Sequence, residues 1–316
     1  MPPQTITFPR VDRDASASSK SPIDRTVNDC SSVVNATPRD ASRGTNLGGR
    51  MNNAPAHQRT VIFYLQPEFT MLAFCAAIEP LRSANLILGF DAYKWRLVSR
   101  TGEPVAASNG IELRVDTSIE DERKLMLGQH RPSFLFVCGG LNIERYHTKS
   151  LSAWLREEYN RGVKIGGLCT AAYSLGAAGL LNDKRCAIHW ENLPGFQEAF
   201  PQVSVYSDLF EIDGNIYTCA GGTATLDMML SIISDDFDDA TVNRICEMVL
   251  TDRVRNPTDR QRLPLRARLG VQNPKVLTII ELMEANLSEP LSLVEIADHV
   301  GLSRRQIERL FRQEMG

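Results

Sequence analysis

Short apolar runs alternate with stretches of helical rhythm through the middle of the chain. TVIFYL, from Thr60 to Leu65, is a β-branched and aromatic run that reads as a buried strand. MLAFCAAIEPLRSANLI follows with helical spacing, and Pro80 within it predicts a kink or a restart. YKWRLVS and SFLFVCGG are further strands, the latter ending in Gly139 and Gly140, and SLSAWLREEYNRG is a helix closed by Gly162. VKIGGL is a fourth strand running straight into Cys169, with TAAYSLGAAGLL as the helix behind it. After CAIHW come a helix around Asn192 to Phe200 and the strands VSVYSDLFEID and IYTCAGG, joined at Asp213-Gly214. A long helix from about Thr223 and a last one in DDATVNRICEMVLTDRV complete the series. This alternation builds an α/β fold, an open, largely parallel sheet with helices on both faces.

The pattern changes at both ends. Residues 1–58 are rich in Ser, Asn, Asp, Pro and Arg and offer little apolar surface to offset ordering entropy, so this segment is expected to be disordered. Met51 lies just before the first folded run and is an alternative start of translation to Met1. The α/β unit spans 59–255. Residues 256–273 carry Pro257, Pro264, Gly270 and several arginines and read as a linker; the arginines from Arg253 to Arg268 would suit an arm that touches phosphates. Residues 274–316 form a small all-α unit: an amphipathic helix in PKVLTIIELMEANL, then two helices in LSLVEIADHVGLSRRQIERLFRQEMG joined at Gly301.

Ser292 and Ser303 stand where N-caps belong, and with the Gly301 turn they give the spacing of a helix-turn-helix. At about 100° per residue from Arg305, Ile307 lies near ~200°, Leu310 near ~140° and Phe311 near ~240°, one stripe facing inward. Arg305, Glu308, Arg309 and Arg312 fall on the other face. Together with Ser303 and Arg304 they are the candidate contacts to double-stranded operator DNA, since a recognition helix presents such a face to a major groove.

Length and composition narrow the classes further. At 316 residues, 43% hydrophobic and 23% charged, the chain has room for about two cores. A formal charge of -3 gives no global attraction to nucleic acid or an anionic membrane, so a DNA partner must be met by a local patch. Seven cysteines without CxxC spacing point to reduced thiols in the cytoplasm, and scattered histidines give no metal site. No apolar h-region and no apolar run of ~18 residues is visible, so neither export nor a membrane partner is expected.

The candidate chemistry centres on IGGLCTAAYSLGAAGLLNDKRCAIHW. A cysteine on a strand-to-helix turn is activated by helix N-terminal amides, and a histidine such as His189 can take its proton. Amides of the Gly139-Gly140 turn are placed to act as an oxyanion hole. For a cationic ligand, Trp190 is the first aromatic candidate, with Tyr173 and Phe69 behind it, and Glu191 would balance the charge.

LSLVEIADHVGLSRRQIERLFRQEMG resembles the first helix-turn-helix of AraC/XylS-type regulators, and LCTAAYSLGAAGLL with HWENL resembles the PfpI-like, glutamine-amidotransferase-like domain, a flavodoxin-like architecture. In this order the two resemble the GlxA family of transcriptional regulators, nearest to those controlling arginine, glycine betaine or carnitine catabolism. The resemblance implies a homodimer that senses a small nitrogenous effector and needs no cofactor. AraC/XylS-type domains have two helix-turn-helix units on a linking helix. This sequence stops at Gly316, where that link should begin, so only the first half of the DNA-binding domain is expected here. PfpI-like enzymes place an acid against the cysteine, four residues before a proline. Counting back from Pro80 gives Ala76, with Glu79 aimed elsewhere, which makes Cys169, Thr170, His189, Trp190, Glu191, Gly139 and Gly140 a non-catalytic ligand pocket. The alternative is a Cys-dependent hydrolase or glyoxal-detoxifying enzyme.

Overall fold

The computed structural model describes residues 58–126, 131–287 and 289–315. The segment expected to be disordered, apart from Gln58, and the alternative start at Met51 lie outside the described residues.

The main sheet has seven strands: β1 (Arg59–Leu65), β2 (Tyr93–Ser99), β5 (Thr117–Ser118), β6 (Phe134–Cys138), β7 (Lys164–Leu168), β10 (Phe210–Asp213) and β11 (Ile216–Cys219). Their spatial order is β10-β11-β7-β6-β1-β2-β5, parallel throughout except for the β10–β11 hairpin at one edge. Two residues at the hairpin tip suffice because Gly214 adopts φ 62°, a conformation that suits glycine. The chain lays down β1, β2 and β5 in one direction and then returns to the other side of β1 with β6. That reversal sets a switch point between β1 and β6, and in open α/β sheets ligands bind in the crevice at the carboxyl ends of the strands there.

The alternation of side chains along β1 divides the core. Val61, Phe63 and Leu65 face α1 (Met71–Leu88), α7 (Ala224–Asp236) and α8 (Asp239–Met248), while Ile62 and Tyr64 face α4 (Lys149–Asn160), α5 (Ala172–Ala177) and α6 (Leu193–Ala199). Helix α1 continues through Pro80 and does not restart there. Its 18 residues are also long and apolar enough to cross a membrane by length and composition, correcting the expectation that no stretch reaches that length. Ala73, Phe74, Ala77, Leu81 and Ala84 are buried in the core beside α7 and α8, which accounts for the apolar composition.

Two departures from the sequence pattern matter for the site. The run VSVYSDLFEID is two strands: β9 (Ser204–Tyr206) pairs with β8 (Arg185–Ala187) in a separate sheet, and only β10 joins the main one. The break occurs where the linker approaches, since Asp208 bridges to Arg260 and Leu209 N–H donates to the Pro257 carbonyl at 2.7 Å. The second departure is a set of short elements with no legible period: the β3–β4 pair (Val105–Ala106, Glu112–Leu113), β5, α2 (Ile119–Met126) and α3 (Ile143–Tyr146).

Beyond α9 (Leu265–Leu269), three helices close on a small core of their own. Helices α10 (Pro274–Ala285), α11 (Leu293–Val300) and α12 (Arg304–Met315) bury Ile279, Ile296, Ala297, Val300 and Ile307, with Leu282 and Phe311 packed at the margin. Ser292 forms a full capping box with Glu295, Gly301 turns the chain at φ 63°, and the Ser303 hydroxyl accepts from Gln306 N–H at 3.3 Å.

Candidate functional site

Strand β7 delivers Cys169 to the switch point in a left-handed conformation, φ 63°, that non-glycine residues adopt at a cost. Small neighbours make this possible. Gly221, itself at φ 83°, packs so closely that an added Cβ would lie 2.5 Å from Cys169 Cβ and 2.9 Å from its sulfur. Gly139 sits against Thr170 and Ala171, and an added Cβ on Gly140 would overlap the Glu68 carbonyl. Thr170, buried, donates its hydroxyl to the Gly140 carbonyl at 2.8 Å. Cys169, Thr170, Gly139 and Gly140 are thus one tight knot.

The polar side chain facing Cys169 is Thr70, at the N-cap of α1, whose hydroxyl donates to Sγ at 3.5 Å. Ala76, reached by counting from Pro80, is the sixth residue of α1 and half-buried, and Glu79 is exposed and paired with Arg82 at 2.8 Å. Counting from the proline therefore missed the position that matters. The legible signal was the hydroxyl residue between strand TVIFYL and the apolar helix, a residue type favoured at N-caps, but its hydroxyl makes no capping bond and is aimed at the turn instead.

Burial pushes the Cys169 thiol up, against the Thr70 hydroxyl and the Thr170 N–H, which favour the thiolate; the Glu191 charge adds to the rise. Of the Gly139 and Gly140 amides expected to stabilise an oxyanion, that of Gly139 has another partner. Gly139 N–H donates to the Leu168 carbonyl at 3.3 Å, and the N–H groups of Cys169 and Gly221 point at the Cys219 sulfur. His189 is half-buried, which holds its imidazole below the ordinary value despite Glu191 beside it, and among the described residues no hydrogen bond joins it to Cys169. Its Nδ1 accepts from Glu191 N–H at 3.4 Å, and its ring lies 5.6 Å from that of Trp190.

From His189 onward the chain diverges from the cysteine knot. Glu191 lines a cavity of about 260 Å³ with Glu144, Tyr173, Ile143, Ile188 and Phe196. Trp190 lines another, of about 350 Å³, formed with the linker and α10. The Arg262 guanidinium covers the Trp190 ring at 4.5 Å from its centroid, so a cation from this same chain occupies the face on which a ligand cation was expected. Phe69 is fully buried and packs edge-on to Phe74. Among the described residues no cluster of His, Cys, Asp and Glu could hold a metal ion.

On α12, Arg304, Arg305, Glu308, Arg309 and Arg312 are exposed, opposite buried Ile307 and half-buried Leu310 and Phe311. Among the described residues none of these four arginines forms an ion pair, whereas Ser303 is engaged as a cap. The linker arginines differ. Arg255 donates Nε and Nη2 to one oxygen of buried Asp227 and its backbone N–H to the other, Arg268 pairs with Glu284 at 3.0 Å, and Arg262 lies over Trp190. Three of the six arginines expected to form a phosphate-contacting arm are thus turned inward.

Comparison with known proteins agrees with this division. Residues 59–235 match the DJ-1/PfpI family, and residues 283–316 match the AraC family of bacterial regulatory helix-turn-helix proteins. The HTH-type transcriptional regulator GbdR of Pseudomonas aeruginosa is 39% identical over 255 residues, 81% of this chain and 68% of the relative. The HTH-type transcriptional regulator GlxA of Rhizobium meliloti is 34% identical over 255 residues, 80% of this chain and 76% of the relative. A crystal structure of an AraC family transcriptional regulator from Pseudomonas putida superposes with a TM-score of 0.55 at 28% identity, over 60% of this chain and 99% of that one. The chain belongs to the DJ-1/PfpI family, in the branch that carries an AraC-type helix-turn-helix.

Proposed function

We propose that the protein is a DNA-binding transcriptional regulator whose DJ-1/PfpI-like domain binds a small nitrogenous metabolite without transforming it. The observation that carries the reading is the partner of Cys169: a neutral hydroxyl, Thr70, stands where proton transfer would need a carboxylate or imidazole. A general acid or base is typically worth 10²- to 10⁴-fold in rate, and burial disfavours the thiolate that would act as nucleophile.

The cavity behind Glu191 supports a cationic effector. Two carboxylates, Glu144 and Glu191, flank apolar walls and the Tyr173 ring, a lining suited to a guanidinium or quaternary ammonium group carried on a small aliphatic body. Cys169 and Thr170 do not line this cavity, so their tight knot serves the sensor as scaffold. The exposed arginines of α12 are the operator-reading face, and two copies acting as a homodimer would present two such faces.

Thermal unfolding against arginine, glycine betaine and carnitine, with NMR following each compound, tests this reading. One compound should raise Tm while staying intact, with stabilisation of about 2.7 kcal/mol at 100 times its Kd, and Glu191→Gln should abolish the shift. The second reading, a Cys-dependent hydrolase or glyoxal-detoxifying enzyme, is favoured by the φ of 63° at Cys169. A compound consumed by the wild type but spared by Cys169→Ala would establish it and end the first.

A further inference from the structure

The segment Ile188 to Glu191 separates the two cavities. Ile188 and Glu191 line the one in the α/β domain, and Trp190 lines the one shared with the linker and α10. Gln261 holds this segment from the linker side with two hydrogen bonds and ties it to Asp208 with a third. Its Nε2 donates to the carbonyls of Ile188 (2.9 Å) and Asp208 (2.7 Å), and its Oε1 accepts from Trp190 N–H (2.7 Å). The next residue, Arg262, lies over the Trp190 ring and reaches Glu284 of α10 at 4.0 Å; Arg268 of α9 pairs with the same Glu284 at 3.0 Å. A continuous set of polar contacts therefore runs from the wall of one cavity, through residues 261 and 262, to the first helix of the DNA-binding unit.

We propose that Gln261, Arg262 and Glu284 form a latch through which occupancy of the cavity behind Glu191 sets the position of the helix-turn-helix. Filling that cavity displaces Ile188 and Glu191, and Gln261 grips the backbone between them, at the Ile188 carbonyl and the Trp190 N–H. A shift there strains the carboxamide's three bonds and the guanidinium–indole stack together, so the linker either keeps its docked course or releases α10. The direction of the signal rests on the sensor reading above; the latch itself does not.

The experiment is hydrogen–deuterium exchange of the full chain, read on peptides covering residues 257–270. Gln261→Ala should speed their exchange at least fivefold without ligand and leave peptides of β6 and β7 unchanged. Unchanged exchange at 257–270 would overturn the latch. To fill the cavity independently of any metabolite, Gly195→Leu uses open space, because an added Cβ at Gly195 meets nothing within 4 Å; Ala199→Met, on the same wall, is a second filler should the first misfold. Either filler should change exchange at 257–270 at least threefold in the wild-type background and less than 1.5-fold alongside Gln261→Ala. A filler that alters α6 but not the linker, or that acts equally in both backgrounds, would overturn the coupling. Absence of a Tm shift with arginine, glycine betaine and carnitine would count against the sensor reading alone.

Discussion

Cys169 is held so that its geometry and its acidity point in opposite directions. The left-handed turn presents the sulfur at the switch point as a nucleophile would be presented, while burial keeps it protonated. At pH 7 iodoacetamide should label exposed Cys75 well before Cys169, with Cys169 labelling rising only in alkaline solution, as mass spectrometry of the two peptides would show. Thr70→Val removes a donor that favours the thiolate and should slow that labelling further; faster labelling would mean that the hydroxyl does not stabilise the anion. The turn also depends on Gly221. Gly221→Ala meets both a φ of 83° and an overlap with Cys169, so a loss of at least about 2 kcal/mol in urea unfolding is expected. Gly195→Ala, in open space on α6, should be neutral or stabilising by up to about 1 kcal/mol. The cysteine turn was legible because glycines and small residues around an apolar run leave few other conformations. Thr70 and the Arg262–Trp190 stack were not, since each joins residues about a hundred or about seventy positions apart with no local period to announce them.

Elements were legible in proportion to their length and periodicity. Strands β1, β6, β7 and β11 are near-continuous apolar runs buried on both faces, and α10 to α12 carry helical rhythm with explicit caps. Two-residue strands such as β3 and β4 have no period to read, and the highly charged α2 hides its few buried positions. VSVYSDLFEID failed differently: its alternation continues past Ser207, but the linker takes the backbone at Asp208 and Leu209 and ends the strand there. The small core of the helix-turn-helix makes its caps count. Ser292→Ala removes the side-chain half of the capping box and should destabilise that unit by about 1 kcal/mol. Ile307→Ala, at the centre of its core, should cost about 2 to 5 kcal/mol. Far-UV circular dichroism during heating would show the helical transition moving down while the α/β transition stays in place; a shift of both together would mean that the two units unfold as one.

The whole molecule combines a buried-thiol sheet with a basic helix face, and each gives it a distinct solution behaviour. Burial lifts Cys219 to about 11 and Cys186 to about 12 from an ordinary 9.0, so the folded chain keeps protons that the unfolded chain releases first. That contribution is complete below pH 9 and is lost as pH rises toward those folded values, by about 1.4 kcal/mol per pH unit for each thiol. Cys186→Ala should therefore show a smaller drop in Tm between pH 8 and pH 10.5 than the wild type. With a net charge of only -3, attraction to DNA must come from a local face, and the structure separates two candidates that composition cannot. The arginines of α12 point outward without carboxylate partners among the described residues, whereas Arg262 is spent on Trp190 and Glu284. Binding to a nonspecific duplex, measured by fluorescence anisotropy across a salt series, reports how many phosphates are neutralised. Arg304→Ala with Arg309→Ala should reduce the slope of log affinity against log salt by about 2, and Arg262→Ala should leave it unchanged. The opposite result would move the DNA-contacting surface from the recognition helix to the linker, and would mean that the latch residues meet phosphate in the complex.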